Sequence, residues 1–462
     1  MFISSFPEKY VGKLFEIDCV DIEIHRFEDH QPPIFKGPGV IRGDASGRLS
    51  YKVYNQIKVN PEIFNFLKQI REGDDAKKTN IRLFAEDYDG IKWTGGWSIP
   101  TISLFQTPYL LVNGEFDQLA TRADKIEGDQ EKNSTELVFA GNLNLPFAGT
   151  INVKRFHGDK VISTSIWGDH HKVIFGDSSI LMQESSDKER THVTASHSDQ
   201  FTAPYVENWI TEALIFITAR MLYPRMVIRH FEKDALIFIR ATPQNTVSGM
   251  PPPFSRTPKN RESTWEAFCA YLSKCKSCQQ FDFLEITKGL CELILASKGT
   301  LQGFLISLAL YIEFCANHIF SSAIDKICAE EDEYRKKVDD FLQHVDTWQG
   351  DDVIKERANG LLSMLHTPSL TNRMDALIEQ GVITETHKKI WKKARPYLAH
   401  GNVVDFSKEE EFWHFRNYLI TMVYRLIFRI IGYKGIVLDY DGSEFRFVQY
   451  EWYENCPTNH CV

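Results

Sequence analysis

Apolar and polar residues alternate from Phe15 through Glu16, Ile17, Asp18, Cys19, Val20, Asp21, Ile22 and Glu23 to Ile24. This is the period-two pattern of a strand with one face buried. Leu49 to Tyr54 repeats it, and further strand signals stand at 80–85, 91–98, 135–139, 150–156, 161–166 and 173–175. Gly37-Pro38-Gly39 and the run Gly43 to Gly47 read as punctuation between strands. A short helix is expected from Pro61 to Glu72, and the polar stretches 121–134 and 183–200 read as loops. Many short strands separated by Gly, Asp and Asn predict an antiparallel sandwich or a barrel-like sheet.

After Pro204 the period changes. Trp209, Leu214, Ile217 and Met221 form the apolar stripe of a helix running to about Tyr223. Two strands follow, 226–231 and 235–240, around the polar turn Glu232-Lys233-Asp234. Residues 243–260, with Pro251-Pro252-Pro253 among Gly, Ser, Thr and Asn, read as a linker that has little to bury. Beyond it the pattern predicts helices near 263–275, 282–297, 301–329, 331–348, 351–366, 370–380, 384–399 and 407–431. The last begins with a capping-box pattern at Ser407-Lys408-Glu409-Glu410, and its stripe runs through Phe415, Leu419, Met422, Leu426 and Ile430. A hairpin, 435–440 with 444–449, turns at Asp441-Gly442. The fold class is therefore α+β: a β-rich domain over 1–242, a Pro/Ser-rich linker over 243–262, and an all-α domain over 263–462 carrying the C-terminal hairpin.

Composition narrows the function classes. Lys and Arg number 53 against 62 Asp and Glu, a formal charge of −9, which excludes bulk electrostatic coating of nucleic acid. A nucleic-acid site must be local, and Lys388, Lys389, Lys392, Lys393 and Arg395 form one basic cluster. The first residues show neither a basic start nor an apolar run, so no signal peptide is expected. Leu301 to Phe320 is interrupted by Gln302, Glu313, Asn317 and His318 and reads as a buried helix, not a membrane span. Nine cysteines form no spaced secretory framework, which points to a reducing, cytoplasmic setting.

The chemistry concentrates at Trp391-Lys392-Lys393-Ala394-Arg395-Pro396-Tyr397-Leu398-Ala399-His400-Gly401-Asn402. Arg395 offers a permanent cation with a planar donor fork for phosphate oxygens. His400 titrates near neutral pH and can move a proton to or from a ribose hydroxyl. By itself an Arg and a His five positions apart is a common accident, and a His near a helix C-terminus is most often a cap. Pro396 lacks an N–H and disfavours the helical conformation at the preceding residue, which predicts a kink at Arg395. Asn402 is either a phosphate donor or the left-handed residue that ends the helix. Glu313 and His318 interrupt an apolar helix face; they could support a site beside His400, although a bundle-seam ion pair is the simpler account. Arg416 and Asn417 read as surface residues. Cys275-Lys276-Ser277-Cys278 with Cys269 has metal-knuckle spacing, but only Cys456, His460 and Cys461 could complete a set, and buried thiols are the simpler reading. His157, Trp167, His170 and His171 read as a loop, not a metal site.

The Arg395–His400 segment and its Leu398-Ala399-His400-Gly401 ending resemble the Arg-x4-6-His signature of the HEPN superfamily. Together with a strand-rich front half and a helical back half, they resemble ApeA-type proteins. That resemblance implies an all-α HEPN domain behind a sensing or regulatory domain, and a metal-independent ribonuclease without cofactor. Arg395 would hold the scissile phosphate and His400 would transfer protons as the 2′-OH attacks, with Lys392, Lys393, Asn402 and Glu313 in support. It also implies RNA as substrate, transfer RNA among the candidates, a homodimer, a phage-derived trigger, and a growth-halting toxin in defence against phage. Pro396 stands where the family usually has a polar residue. A HEPN-like RNA- or protein-binding scaffold without catalysis is therefore the alternative. A third reading makes the front half a ligand-binding sandwich lined by Trp93, Trp97 and Trp167, although such tryptophans are more often core.

Overall fold

The computed structural model describes residues 6–26, 32–57, 81–96, 98–103, 110–124, 133–147, 149–157, 160–185, 187–198, 200–243, 249–254, 261–321, 328–362, 370–399, 409–441 and 445–453. The expected helix at 61–72 lies outside them, as do Ser407, His400 and Asn402. The chain is α+β, with a large antiparallel sheet in its N-terminal half and helices in its C-terminal half.

The contacts divide it into two units. One comprises Met1–Val247, Arg256–Arg261 and Cys275–Phe283; the other comprises Ser248–Ser255, Glu262–Lys274 and Leu284–Val462.

The first unit opens with the single-turn helix α1 (Phe6–Tyr10) and then runs through β1 (Phe15–Arg26), β2 (Phe35–Gly43), β3 (Leu49–Asn55), β4 (Ile81–Asp87), β5 (Lys92–Gly95) and β6 (Ser98–Ser103). β7 (Leu110–Phe116), β8 (Gln118–Asp124), β9 (Ser134–Ala140), β10 (Gly149–His157), β11 (Lys160–Phe175), β12 (Ser178–Glu184) and β13 (Arg190–Ser196) follow. Helix α2 (Tyr205–Thr218) precedes β14 (Met226–His230) and β15 (Asp234–Arg240). All fifteen strands join one sheet in the order β10-β11-β12-β13-β9-β14-β15-β8-β5-β4-β1-β2-β3-β7-β6. Alternation governs burial where it was legible: Phe15, Ile17 and Cys19 of β1 point inward, and so do Leu49, Tyr51 and Val53 of β3. With Phe6, Tyr10 and Trp93 they build one core, and Val138, Met226 and Ile228 extend it. Trp93 is thus core, its Nε1 donating to Asp87 Oδ2 at 3.0 Å. Trp97 and the side chain of Trp167 lie outside the described residues.

Several expectations are corrected here. Gly37-Pro38-Gly39 is no turn but part of β2. A side chain at Gly37 or Gly39 would stand 2.1 Å from Tyr54 O or 2.2 Å from Lys52 O, so close strand approach demands glycine. The register of β1 shifts between Cys19 and Ile22, opposite Pro38, where a strand can tolerate proline. Residues 161–175, expected as two strands flanking a loop, are the single strand β11, which carries His170 and His171. β13 occupies residues read as loop, because its polar Arg190, Thr191 and His192 are buried against partners. Helix α2 ends at Thr218, short of Tyr223, since Ala219 takes the left-handed conformation (φ 49°) and its N–H returns to Phe216 O. α2 is also buried on every side, with no exposed stripe.

In the second unit the helices are α3 (Arg261–Cys278, of which Glu262–Lys274 belongs here), α4 (Glu285–Ala296), α5 (Leu301–Ser321), α6 (Cys328–Thr347), α7 (Asp352–Leu362), α8 (Leu370–Glu379), α9 (Glu385–Ala399) and α10 (Glu409–Ile431). The hairpin β16 (Gly435–Asp439) and β17 (Arg446–Tyr450) follows. α5 is central, packing on α4, α8, α9 and α10. Its span Leu301–Phe320 is long and apolar enough to cross a membrane, yet half of it is buried within the protein. The apolar positions of α10 expected to face inward, Phe415, Leu419, Met422 and Leu426, do so.

The Pro-rich segment was expected to bury little, but residues 249–254 form a strap built into this unit. Pro251 O accepts from Tyr424 Oη at 2.6 Å, Pro253 O accepts from Leu438 N at 3.2 Å, and Tyr440 Oη donates to Pro252 O. Met250 and Phe254 are 2% exposed. Consecutive prolines fix an extended backbone whose carbonyls stay free to accept, which suits such a strap.

Candidate functional site

Helix α9 forms because His387, Ile390, Trp391 and Ala394 repeat at spacings of three and four, and all four are buried. Trp391 Nε1 donates to Ala309 O of α5 at 3.4 Å, anchoring the helix midway. Its start is locked by a reciprocal cap. His387 N donates to Thr384 Oγ1 at 3.3 Å, and Thr384 N donates to His387 Nδ1 at 3.0 Å. That bond makes Nδ1 an acceptor, so Nε2 carries the proton it gives to Asp441, 2.9 Å away on the hairpin turn. Thr384, His387 and Asp441 thus line up like a hydrolytic triad. The imidazole is fully buried and holds the helix N-terminus to the hairpin, so its role is structural.

The backbone of Arg395 to Ala399, the described part of the motif, forms the other end of α9. Arg395 stands in its last turn, and the helix continues through Pro396 to Ala399 without interruption. The structure describes the helix's side chains as far as Ala394; the side chain of Arg395, together with His400 and Asn402, lies outside the described residues. The lysines nearby are described. Lys393 Nζ pairs with Glu411 of α10 and lies 5.3 Å from the ring of Phe415. Lys388 pairs with Asp375 of α8. Two members of the expected basic cluster therefore already have counter-charges, while Lys392 is exposed.

Glu313 and His318 do not share one side of α5. Five residues along α5 turn Glu313 and His318 about 140° apart. His318 belongs to a stacked aromatic run, 6.0 Å from Phe314, which in turn stacks on Tyr311 at 5.8 Å. Tyr311 Oη donates to Ile286 O of α4 at 2.5 Å, so this face of α5 serves the α4 contact. Burial holds the His318 pKa down, with the Lys274 ammonium adding to the effect and Glu285 opposing it. Glu313 is half-buried within α5. Arg416, expected at the surface, is instead a strap anchor: its Nη2 donates to Gly249 O at 2.6 Å.

Burial pushes the thiols of Cys275 and Cys269 up, the latter to about 11, with Glu212 and Glu266 respectively adding to the effect. Neither is a thiolate at neutral pH. Among the described residues no group of three or more His, Cys, Asp or Glu side chains is arranged to hold a metal ion.

Sequence reasoning missed the densest polar constellations, which lie on opposite faces of the first unit's sheet. On the face shared with Val138 and Ile228, Glu136 Oε1 meets His192 Nδ1 at 2.7 Å and Oε2 lies 3.6 Å from His230 Nε2. Burial raises the Glu136 carboxyl, but hydrogen bonds from His192 and then His230 outweigh it and hold the pKa at about 2. On the other face, Glu207 of α2 is 2% exposed and receives Arg229 Nε at 2.6 Å and Arg240 Nη2 at 2.7 Å. His197 hydrogen-bonds Thr135 Oγ1 at 2.7 Å, and burial lowers its pKa while Glu207 opposes. The alternation of charged residues on β13, β14 and β15 was the available signal, but it could not tell which strands are neighbours.

Comparison of the chain with family models, with curated proteins and with solved structures yields no match. The reading of the site therefore rests on the residues themselves.

Proposed function

We propose that this protein is a metal-independent endoribonuclease of the HEPN type, with Arg395 and His400 as its active pair. The observation that supports the reading is that Arg395 stands in the last turn of α9, an amphipathic helix packed on α5 and α10 in a helical unit, and that His400 follows that helix in the sequence. His400 takes the proton of a ribose 2′-OH as that oxygen attacks the adjacent phosphorus. Arg395 neutralises the charge gathering on the non-bridging oxygens. The bond to the 5′-oxygen breaks and that oxygen is protonated, leaving a 2′,3′-cyclic phosphate and a 5′-hydroxyl. DNA, lacking the 2′-OH, is not cut. Two copies related by a two-fold axis would bring two motifs together, which suits a homodimer. The biological role we propose is a cytoplasmic RNA-cutting toxin in defence against phage, released by a phage-derived trigger.

The test is cleavage of total cellular RNA by the full-length protein in EDTA. Wild type should release cyclic-phosphate ends, and His400→Ala should be slower by roughly 10²–10⁴-fold. Equal cleavage by both proteins would overturn the site assignment. A second reading, a HEPN-like scaffold that binds RNA or a protein without cutting, is favoured by the counter-charges on Lys388 and Lys393. It predicts RNA binding by wild type, weakened in Arg395→Gln, with no cleavage even in cells challenged by phage.

A further inference from the structure

α3 ends in Cys275-Lys276-Ser277-Cys278, and this last turn, with the residues up to Phe283, belongs to the first unit. Cysteine pairs at this spacing outside a secretory framework serve metal binding or redox chemistry. Among the described residues no group of three ligands is arranged for a metal here. The two thiols differ sharply in their surroundings. Cys275 is fully buried, and its thiol hydrogen-bonds to the carboxylate of Glu212 on α2, itself 1% exposed. Cys278 is exposed, and the Ser277 hydroxyl stands 3.9 Å from its sulfur. This difference sets an order of events. An exposed thiol can lose its proton to water and meet a dissolved disulfide, and the thiolate is the form that attacks. A buried thiol can do neither unaided. Burial first, and then the Glu212 charge, hold the proton on Cys275. Glu212 is also a base within hydrogen-bond reach of that proton, so it can take the proton as the sulfur attacks.

Closure lies within reach of the helix end. Residues three apart on a helix have Cβ atoms about 5–6 Å apart, and a disulfide needs about 3.5–4.5 Å. α3 stops at Cys278, and Gln279 is left-handed (φ 49°), its N–H returning to Cys275 O at 3.1 Å. Tightening therefore strains one terminal turn and leaves the helix before it intact. Beyond that turn the chain stays anchored to α2, because Trp209 Nε1 donates to Gln280 O at 3.3 Å and Asn208 Nδ2 donates to Phe281 O at 2.5 Å. So short a ring gains little from closure, and a strained bond of this kind is readily reduced again.

We propose that Cys275 and Cys278 form a reversible redox pair, oxidised by exchange with a low-molecular-weight disulfide such as oxidised glutathione, with Glu212 as the internal base. The Cys278 thiolate attacks one sulfur of that disulfide, forms a mixed disulfide and displaces a thiolate, which takes up the proton that Cys278 gave up. Cys275 then passes its proton to Glu212 and attacks the Cys278 sulfur, and the second glutathione leaves and receives that proton. One external disulfide becomes two thiols while the two protein thiols become one disulfide, so electrons and protons balance. The inference does not rest on the nuclease reading and survives its failure.

The experiment treats the full-length protein with oxidised glutathione and maps the cysteines by mass spectrometry after digestion without reduction. Wild type should show a Cys275–Cys278 link that dithiothreitol reopens. Cys275→Ser should stop with glutathione on Cys278, and Cys278→Ser, a change at an exposed position, should leave Cys275 unmodified. Glu212→Gln, checked for folding by circular dichroism, should accumulate the mixed disulfide and close the link roughly tenfold or more slowly. Three results would each overturn the proposal: wild type forms no Cys275–Cys278 link, Cys278→Ser takes glutathione on Cys275, or folded Glu212→Gln closes the link as fast as wild type.

Discussion

Glu207 in the sheet unit and Lys393 in the helical unit hold charge in opposite ways. In the sheet unit Glu207, 2% exposed, is buried between Arg229 and Arg240, and the half-buried Glu136 lies between His192 and His230, beside surface pairs such as Arg42–Glu16. On α9 in the helical unit the Lys393 pair sits at the surface, with Lys393 66% and its partner Glu411 36% exposed, whereas Lys388 is largely buried beside Asp375. A buried carboxylate depends on every partner because water cannot replace one that is lost. A surface lysine depends on almost none, and its side chain can turn to another anion such as a phosphate backbone. The comparison separates charge that holds a fold from charge that remains exchangeable. The helical unit also has buried pairs, His387 with Asp441 and Arg425 with Asp439, that act as the Glu207 cluster does.

The contrast can be broken by experiment. Arg240→Ala leaves the buried Glu207 with Arg229 alone and should cost about 2–3 kcal/mol, read as a lowered urea midpoint of the sheet unit's transition. A loss no larger than that of a surface pair would show that Glu207 can reach water.

The second effect depends on pH. Because the Glu136 pKa is held near 2 in the folded protein against 4.5 as its ordinary value, its stabilisation is complete above pH about 4.5. It is lost as the pH falls toward 2. Glu136→Gln should flatten that part of the stability profile in an acid titration followed by circular dichroism, and an unchanged slope would contradict the carboxylate's role.

The smallest effect is that of Lys393→Ala, about 0.5 kcal/mol or less in thermal stability. If that variant nevertheless weakened RNA binding, the charge would be exchangeable in the sense drawn above; an unfolded variant would refute it.

Much of the fold was legible. β1, β3 and β4 alternate because each has one apolar face, and α9 and α10 carry stripes at helical spacing. β13 was illegible for a physical reason. Arg190 bonds to Asp187 and Ser185, and His192 bonds to Glu136, so a polar sequence is buried as strand. The Gly-Pro-Gly of β2 misled in the other direction, since turn chemistry there serves close strand approach. At the candidate site, the Arg395–His400 spacing and the amphipathic helix that ends at Ala399 could be read directly. The counter-charges on Lys388 and Lys393 could not, because Asp375 and Glu411 sit on other helices.

The sequence by itself determined the class of the protein: strands first, helices after, and a guanidinium and an imidazole five residues apart at one helix end. Local periodicity suffices for that, because it depends on neighbours along the chain. Only the tertiary structure decided which charges are already answered. Glu136 meets a histidine 56 residues away, His387 an aspartate 54 away, and Arg225 a carbonyl 178 away. Such pairs exist only once strand order and helix packing bring them within hydrogen-bonding distance, and a short-range force between distant residues leaves no mark on the sequence around either one.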